Sequence, residues 1–239
     1  MLLDKIRNKF QLRLKDRATA GNILGEALKD VIKSEKERRE STTVLGIPRG
    51  GVIVADLVTK KMSCRFDIII PRKLRAPHNE ELAIGAVMGD GSIYLNEDII
   101  KKLDITQDYI EKEKSYQIQE IERRSSSYRN VSTLAATEAN SYLEGMSNII
   151  LVDDGAASGA TIISAARWVK NNYAFKKLII AVPVAPTTTK SLLDKEANLT
   201  EVIITPSISK FESIGQYYQS FDPISDEQVL EIMAKNKTL

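Results

Sequence analysis

Asp153 and Asp154 stand together after the aliphatic run Asn148-Ile149-Ile150-Leu151-Val152 and directly before Gly155-Ala156-Ala157-Ser158-Gly159-Ala160-Thr161. Amides exposed where such a loop enters a helix point outward with a favourable dipole, so small and hydroxylated residues here can wrap a phosphate monoester. Two carboxylates beside that phosphate would repel it unless something lay between them. A ribose has the right size, because its hydroxyls can bond to carboxylates while its 5'-phosphate reaches the loop.

The flanking elements must hold this arrangement. The run Ile149 to Val152 reads as a buried parallel strand. Ile162, Ile163, Ala165, Ala166, Trp168 and Val169 recur at helical spacing beyond the loop. The local order is therefore strand, tight loop, helix. The alternative, that the two acids only end a strand and the glycines form an ordinary turn, requires acids, glycines, hydroxyls and context to coincide by chance.

Residues Ile149 to Thr161 resemble the phosphoribosyl pyrophosphate motif of type I phosphoribosyltransferases: a hydrophobic strand, two acids, three small residues, Thr-Gly, a variable residue and Thr. Asp153 and Asp154 match the acids, Gly159 the glycine and Thr161 the final threonine. Ser158 stands where threonine is usual and keeps the hydroxyl. The resemblance covers roughly residues 20 to 225 and is most specific at 149–161.

With 239 residues the chain can bury one large α/β core, and it reads as a single domain over 1–239. Hydrophobic residues at 43% and charged residues at 28% describe a soluble globular protein. A formal charge of +2 gives no support for a nucleic-acid partner. No apolar run approaches about 18 residues, which argues against a membrane span. The segment Met1 to Lys5 lacks the features of a secretion signal, so the expected location is cytoplasmic. Cys64, the only cysteine, excludes an internal disulfide and reads as a packing residue. His78 is the only histidine, which excludes a multi-histidine metal site; it reads as a polar loop residue, with ligand contact as the alternative.

Elsewhere, apolar periodicity predicts a helix over 18–33, followed by a polar loop from Ser34 to Thr42. Thr43 to Ile47 reads as a strand broken by Pro48-Arg49-Gly50-Gly51, with a helix after it. Phe66 to Ile70 is the next strand, and Arg72, Lys73, Arg75 and His78 follow it as a localised anion site, with an edge salt-bridging patch as the alternative. Residues 80–87 and 92–96 suggest a hairpin at the sheet margin, turning at Gly89-Asp90-Gly91. The polar segment from 106 to 129 reads as a lightly packed helix, and its Arg123, Arg124 and Arg129 read as a solvated face. Ser132 to Ser141 has no decisive pattern. Further strands are expected at 177–184 and 201–205, with Thr187 to Thr189 capping a short helix near 191–196. Phe211, Ile214, Tyr217, Tyr218 and Phe221 read as packing residues of the tail, one of which could stack on a base. Strands alternating with helices predict a doubly wound, mostly parallel sheet with its site at the strands' carboxyl ends.

The resemblance implies more than the residues do alone. It implies a small hood, to which 207–239 could contribute, and a mobile arm at 72–96. It makes Arg49, Gly50 and Gly51 a pyrophosphate loop, with a cis peptide near Arg49-Gly50. The string from Pro71 to Asn96 is similar to a less characterised branch of the family, although Glu81 interrupts its Asn-Glu-Leu-Ala-Ile-Gly-Ala-Val pattern. The implied substrates are phosphoribosyl pyrophosphate and a nitrogenous base the sequence does not specify, and the implied cofactor is magnesium, met by Asp153 and Asp154 through water. Residues 155–161 would hold the 5'-phosphate and Asp153 and Asp154 the ribose hydroxyls. Asp154 would steady the ribosyl cation, and Arg72 and Lys73 the departing pyrophosphate. A homodimer is implied as well. The competing reading is a regulatory protein that binds phosphoribosyl pyrophosphate or a nucleotide without turnover.

Overall fold

The computed structural model describes residues 13–128 and 143–236. Five parallel strands form the central sheet in the order β2-β1-β6-β7-β8, where β1 is Thr42–Gly46, β2 Arg65–Ile68, β6 Asn148–Val152, β7 Lys177–Val184 and β8 Leu199–Ile204. Every pairing in it is parallel. This is a parallel α/β sheet, as expected from the alternation of strands and helices.

Strand periodicity divides the core into two layers. Leu45, Ile149, Leu151 and Ile180 face one side and pack with Ile162, Ala165 and Val169 of helix α6, Ala160–Asn172. Val44, Ile150, Val152 and Ile179 face the other side. There they meet Leu24 and Leu28 of α1, Arg17–Val31, and Val54 and Val58 of α3, Gly50–Met62. Gly21 lets α1 and α3 approach closely, since a Cβ there would stand 2.6 Å from the Val54 carbonyl oxygen. Cys64 is half-buried against this second layer, and burial pushes its thiol up to about 12, which makes it a poor nucleophile.

The polar stretch expected as a loop is in fact a helix, α2, Glu35–Ser41. Ser34 caps it by accepting from the Glu37 N–H, Glu35 and Glu37 occupy its first turn, and Arg39 pairs with Glu35 one turn away. With no apolar stripe, local charge and capping decide its conformation.

Residues 72–96 form a second, antiparallel sheet: β3, Arg72–Ala76; β4, Asn79–Val87; and β5, Ile93–Leu95. His78 turns the β3–β4 hairpin with φ 59° and is exposed, as a polar loop residue would be. Arg72, Lys73 and Arg75 lie on the first strand of this sheet. After β5 come α4, Glu97–Lys102, and α5, Gln107–Tyr128. Helix α5 packs closely rather than lightly. Ile110, Ile121 and Tyr128 join Leu74, Ile84 and Val87 in a third apolar cluster, where Val229 and Met233 of a terminal helix also lie. The short helix after β7 is α7, Thr187–Leu193, whose cap is Pro186, so Thr187 to Thr189 lie inside it. The tail runs through two short 3-10 turns into α8, Asp226–Asn236, which the sequence reading did not anticipate. The expectations for Arg129 and Ser132 to Ser141 fall outside the described residues. Among the described residues no helix is long and apolar enough to cross a membrane.

Candidate functional site

Three neighbouring strand ends converge on one cavity of about 300 Å³. From the end of β1 come Ile47, Pro48, Arg49 and Gly50; from the end of β6 come Asp153 to Gly159 and Thr161; from the segment after β2 come Pro71, Arg72, Lys73 and Arg75. Gln117 of α5 and Ile214 of the tail complete the lining. Of the residues expected in the site, Gly51 and Ala160 lie outside this lining. Gly51 packs behind the acids, where a Cβ would stand 2.7 Å from the Asp153 Cα, and Ala160 is buried as the first residue of α6.

The loop after β6 is anchored from both sides. The Ala156 N–H donates to the Val184 carbonyl at 2.8 Å, and the Thr189 hydroxyl donates to the Ala157 carbonyl at 2.5 Å. Gly159 precedes α6 with φ 76°, a conformation that suits glycine. The Ser158 hydroxyl accepts from the Ala160 N–H at 3.4 Å. A helix start with small residues and hydroxyls thus opens into the cavity.

The acids are held differently. Asp153 Oδ1 accepts from the Asp154 N–H at 2.8 Å. Burial, and then the adjacent Asp154 carboxylate, push the Asp153 carboxyl well above its usual range. Asp154 Oδ2 accepts from Arg17 Nε at 2.8 Å, and its carbonyl oxygen accepts from the Tyr218 hydroxyl at 2.8 Å. Gly50 fits against this pair, since a Cβ there would lie 1.8 Å from Asp154 Oδ2 and 2.8 Å from Arg17 Nε. The peptide bond between Pro48 and Arg49 is cis, one bond earlier than the position the resemblance implied.

The opposite wall is cationic. Arg72 Nε donates to Gln117 Oε1 at 2.9 Å, and Gln117 Nε2 donates to Glu113 Oε1 at 2.8 Å. Glu113 in turn accepts from Arg75 Nε at 2.9 Å and from the Arg75 N–H at 3.1 Å. Burial, and then the neighbouring Arg124, lower the pKa of Arg72, so an arriving anion would offset an existing electrostatic cost. Lys73 is exposed on the same strand.

Sequence reasoning did not single out Arg17 or Gln117. Arg17 belongs to a helix read only for its apolar stripe, and its partner lies 137 positions away. Gln117 carried one available signal: it follows Glu113 by one helical turn, so the two share a face.

Among the described residues no group of three or more histidine, cysteine, aspartate or glutamate side chains is placed to hold a metal ion. Two adjacent acids, one of them paired with an arginine, suit a hard cation that keeps water and substrate oxygens as most of its ligands.

The chain matches the model of the phosphoribosyl transferase domain over residues 88–218. Proteins from two strains of Mycobacterium tuberculosis, each provisionally named a phosphoribosyl transferase, are 31% identical to it over 218 residues, 91% of this chain. The chain spans about half the length of these relatives, 46%. The crystal structure of TT1426 from Thermus thermophilus superposes with a TM-score of 0.71 at 32% identity, covering 94% of this chain and 99% of that one. The extent of these matches, together with a strand, paired acids, loop and helix at the site, shows that this chain belongs to the phosphoribosyl transferase domain family.

Proposed function

We propose that this protein transfers the 5-phosphoribosyl group from phosphoribosyl pyrophosphate to a nitrogenous base and releases pyrophosphate. The observation that carries the reading is the convergence of paired acids, a small-residue helix-entry loop and a cationic wall on one cavity. Residues 155–161 receive the 5'-phosphate through amides and the Ser158 and Thr161 hydroxyls. Asp153 and Asp154 accept from the ribose hydroxyls. Arg49, the Gly50 backbone, Arg72 and Lys73 face the pyrophosphate and offset the charge it gains as the bond to ribose carbon 1 breaks.

Carbon 1 becomes cationic in that step, and the Asp154 carboxylate steadies it while the base nitrogen approaches. Magnesium, when bound, supplies a Lewis acid that draws charge from the leaving oxygens. Asp153 and Asp154 would meet it largely through water. Ile214 makes the tail part of a hood over the ring, and the exposed tip of the β3–β4 hairpin is the part of 72–96 suited to close over the substrate. A cytoplasmic homodimer is the proposed context, testable by fractionation and by scattering-determined mass.

The deciding experiment mixes the protein with phosphoribosyl pyrophosphate, magnesium and individual purine and pyrimidine bases, then measures pyrophosphate and nucleotide mass. A base-dependent nucleotide is the expected result. Saturable binding of phosphoribosyl pyrophosphate with no nucleotide from any base would overturn turnover in favour of a regulatory binding role.

A further inference from the structure

Arg17 sits behind the site rather than in the cavity wall, and it is 8% exposed. Three contacts fix its guanidinium. Nε donates to Asp154 Oδ2 at 2.8 Å, Nη1 donates to the Asp222 carbonyl at 2.9 Å, and the guanidinium carbon lies 3.8 Å above the centre of the Phe221 ring. Phe221 itself stacks on Tyr218 with ring centres 4.8 Å apart, and the Tyr218 hydroxyl donates to the Asp154 carbonyl. Helix α1, the acid after β6 and the tail are therefore joined through one side chain.

Resting on the sugar-phosphate reading of the cavity, we propose that Arg17 is a positioning residue that fixes which Asp154 oxygen meets the ribose and couples that choice to docking of the tail. Arg17 holds Oδ2 against Gly50, which leaves Oδ1 as the oxygen for the sugar. Asp153 lies next in the chain, so without the guanidinium two neighbouring carboxylates share a confined space without a counter-ion. The Asp154 side chain then turns away from its partner, and its contact with the sugar is lost. The planar fork of arginine serves both Asp154 and Asp222, which a single ammonium does not match. The tail enters the same arrangement because Phe221 and the Asp222 carbonyl set the position of the guanidinium.

Two probes separate this role from general stability. Ribose 5-phosphate engages both the phosphate loop and the acids, whereas inorganic phosphate engages the anion-binding groups of the cavity without the acids. The ratio of their dissociation constants, measured by calorimetry without turnover, therefore reports the acid–ribose contact. Arg17→Met is expected to weaken ribose 5-phosphate by about tenfold, with inorganic phosphate changed less than about twofold, the scale of losing charged hydrogen bonds. Arg17→Lys should fall between wild type and Arg17→Met, at about a threefold loss, and Phe221→Leu should move the ratio in the same direction by about twofold. If Arg17→Met does not fold, Arg17→Lys carries the test.

An unchanged ratio in folded Arg17→Met, or in Arg17→Lys when that is the variant available, overturns the positioning role. An unchanged ratio in Phe221→Leu overturns the coupling to the tail. Folded wild type that binds inorganic phosphate but shows no added affinity for ribose 5-phosphate would overturn the acid–ribose contact, and with it both this inference and the proposed function.

Discussion

The Arg17 guanidinium meets the Asp154 carboxylate at 2.8 Å across 137 positions of sequence. Asp154 is thus a charged group whose environment has been settled before any substrate arrives. Replacing it with asparagine keeps the shape and a hydrogen-bond acceptor but removes the charge that the proposed reaction sets against a developing cation. Asp154→Asn should lower turnover by about 10²–10³-fold, comparable to losing one preorganised electrostatic contact. Its far-ultraviolet circular dichroism should remain that of wild type. Pyrophosphate release equal to wild type by the folded variant would remove Asp154 from the chemistry.

Asp153 has the opposite energetic character. Burial and the Asp154 charge raise its folded pKa above the unfolded value, so its ionised form opposes folding. The favourable contribution of its protonated form is complete below the unfolded pKa and is lost as pH rises through the folded one. Asp153→Asn should therefore raise the melting temperature at pH 7, with the advantage shrinking as pH falls through the raised value toward the usual carboxylate range. Scanning calorimetry of both proteins across pH 4 to 8 checks this, and a constant difference in melting temperature would contradict it.

Gly50 has no room for a side chain, because the added carbon would lie 1.8 Å from Asp154 Oδ2. Gly50→Ala should displace the carboxylate from Arg17, destabilise the fold by about 1–3 kcal/mol and depress turnover more than stability alone explains. Urea denaturation together with pyrophosphate release at a temperature where the variant is fully folded would separate the two effects.

Gly155 faces the tail, where a Cβ would lie 2.5 Å from Ile214 Cγ2 and 2.6 Å from its Cδ1. Gly155→Ala and Ile214→Ala should each destabilise. The double variant should be more stable than the sum of the two by about 1 kcal/mol, since truncating Ile214 makes the space the new methyl needs. Strict additivity in denaturation would show that the loop and tail do not press on each other.

Chelation should distinguish catalytic from structural use of a divalent ion. Because no cluster of three or more candidate ligands is present among the described residues, the protein without substrate should keep its melting temperature within about 1 °C in excess chelator. Turnover should stop and return when magnesium is restored. A large fall in melting temperature on chelation would instead indicate a metal held by the protein itself.

The strand, acids, loop and helix from 148 to 161 were legible because the whole chemical unit is contiguous in sequence. Arg72 and Lys73 were legible as basic residues following a core strand, and the strand that carries them brings both to the cavity. Arg17 and Gln117 were not, because their roles come from partners brought close only by folding. The cis peptide fell one bond from its expected place, since the motif locates the turn but not the individual bond. Helix α2 was hidden for a different reason: apolar periodicity is the usual marker of a helix, and this one is specified by a serine cap and charge pairs. Terminal helix α8 did carry an apolar stripe, with Val229 and Met233 one turn apart and Ile232 beside them, but the expectation for 207–239 went no further than a segment that packs on the core or joins a hood.

Strands β1 and β6 lie side by side, with Thr42 opposite Asn148 and Gly46 opposite Val152, yet the second sheet and α5 lie between them in sequence. During synthesis the edge of β1 waits for more than a hundred further residues before its neighbour emerges, while the β3–β4 hairpin can pair at once. Such distant pairing is slow because a long loop must close before its contacts contribute. The ends of these two strands supply the Pro48-Arg49-Gly50 turn and the paired acids of the cavity, so the cavity is among the last parts of the molecule to come into being. A nascent or partly folded chain could therefore carry much of its helix and hairpin structure while having no affinity for a sugar phosphate.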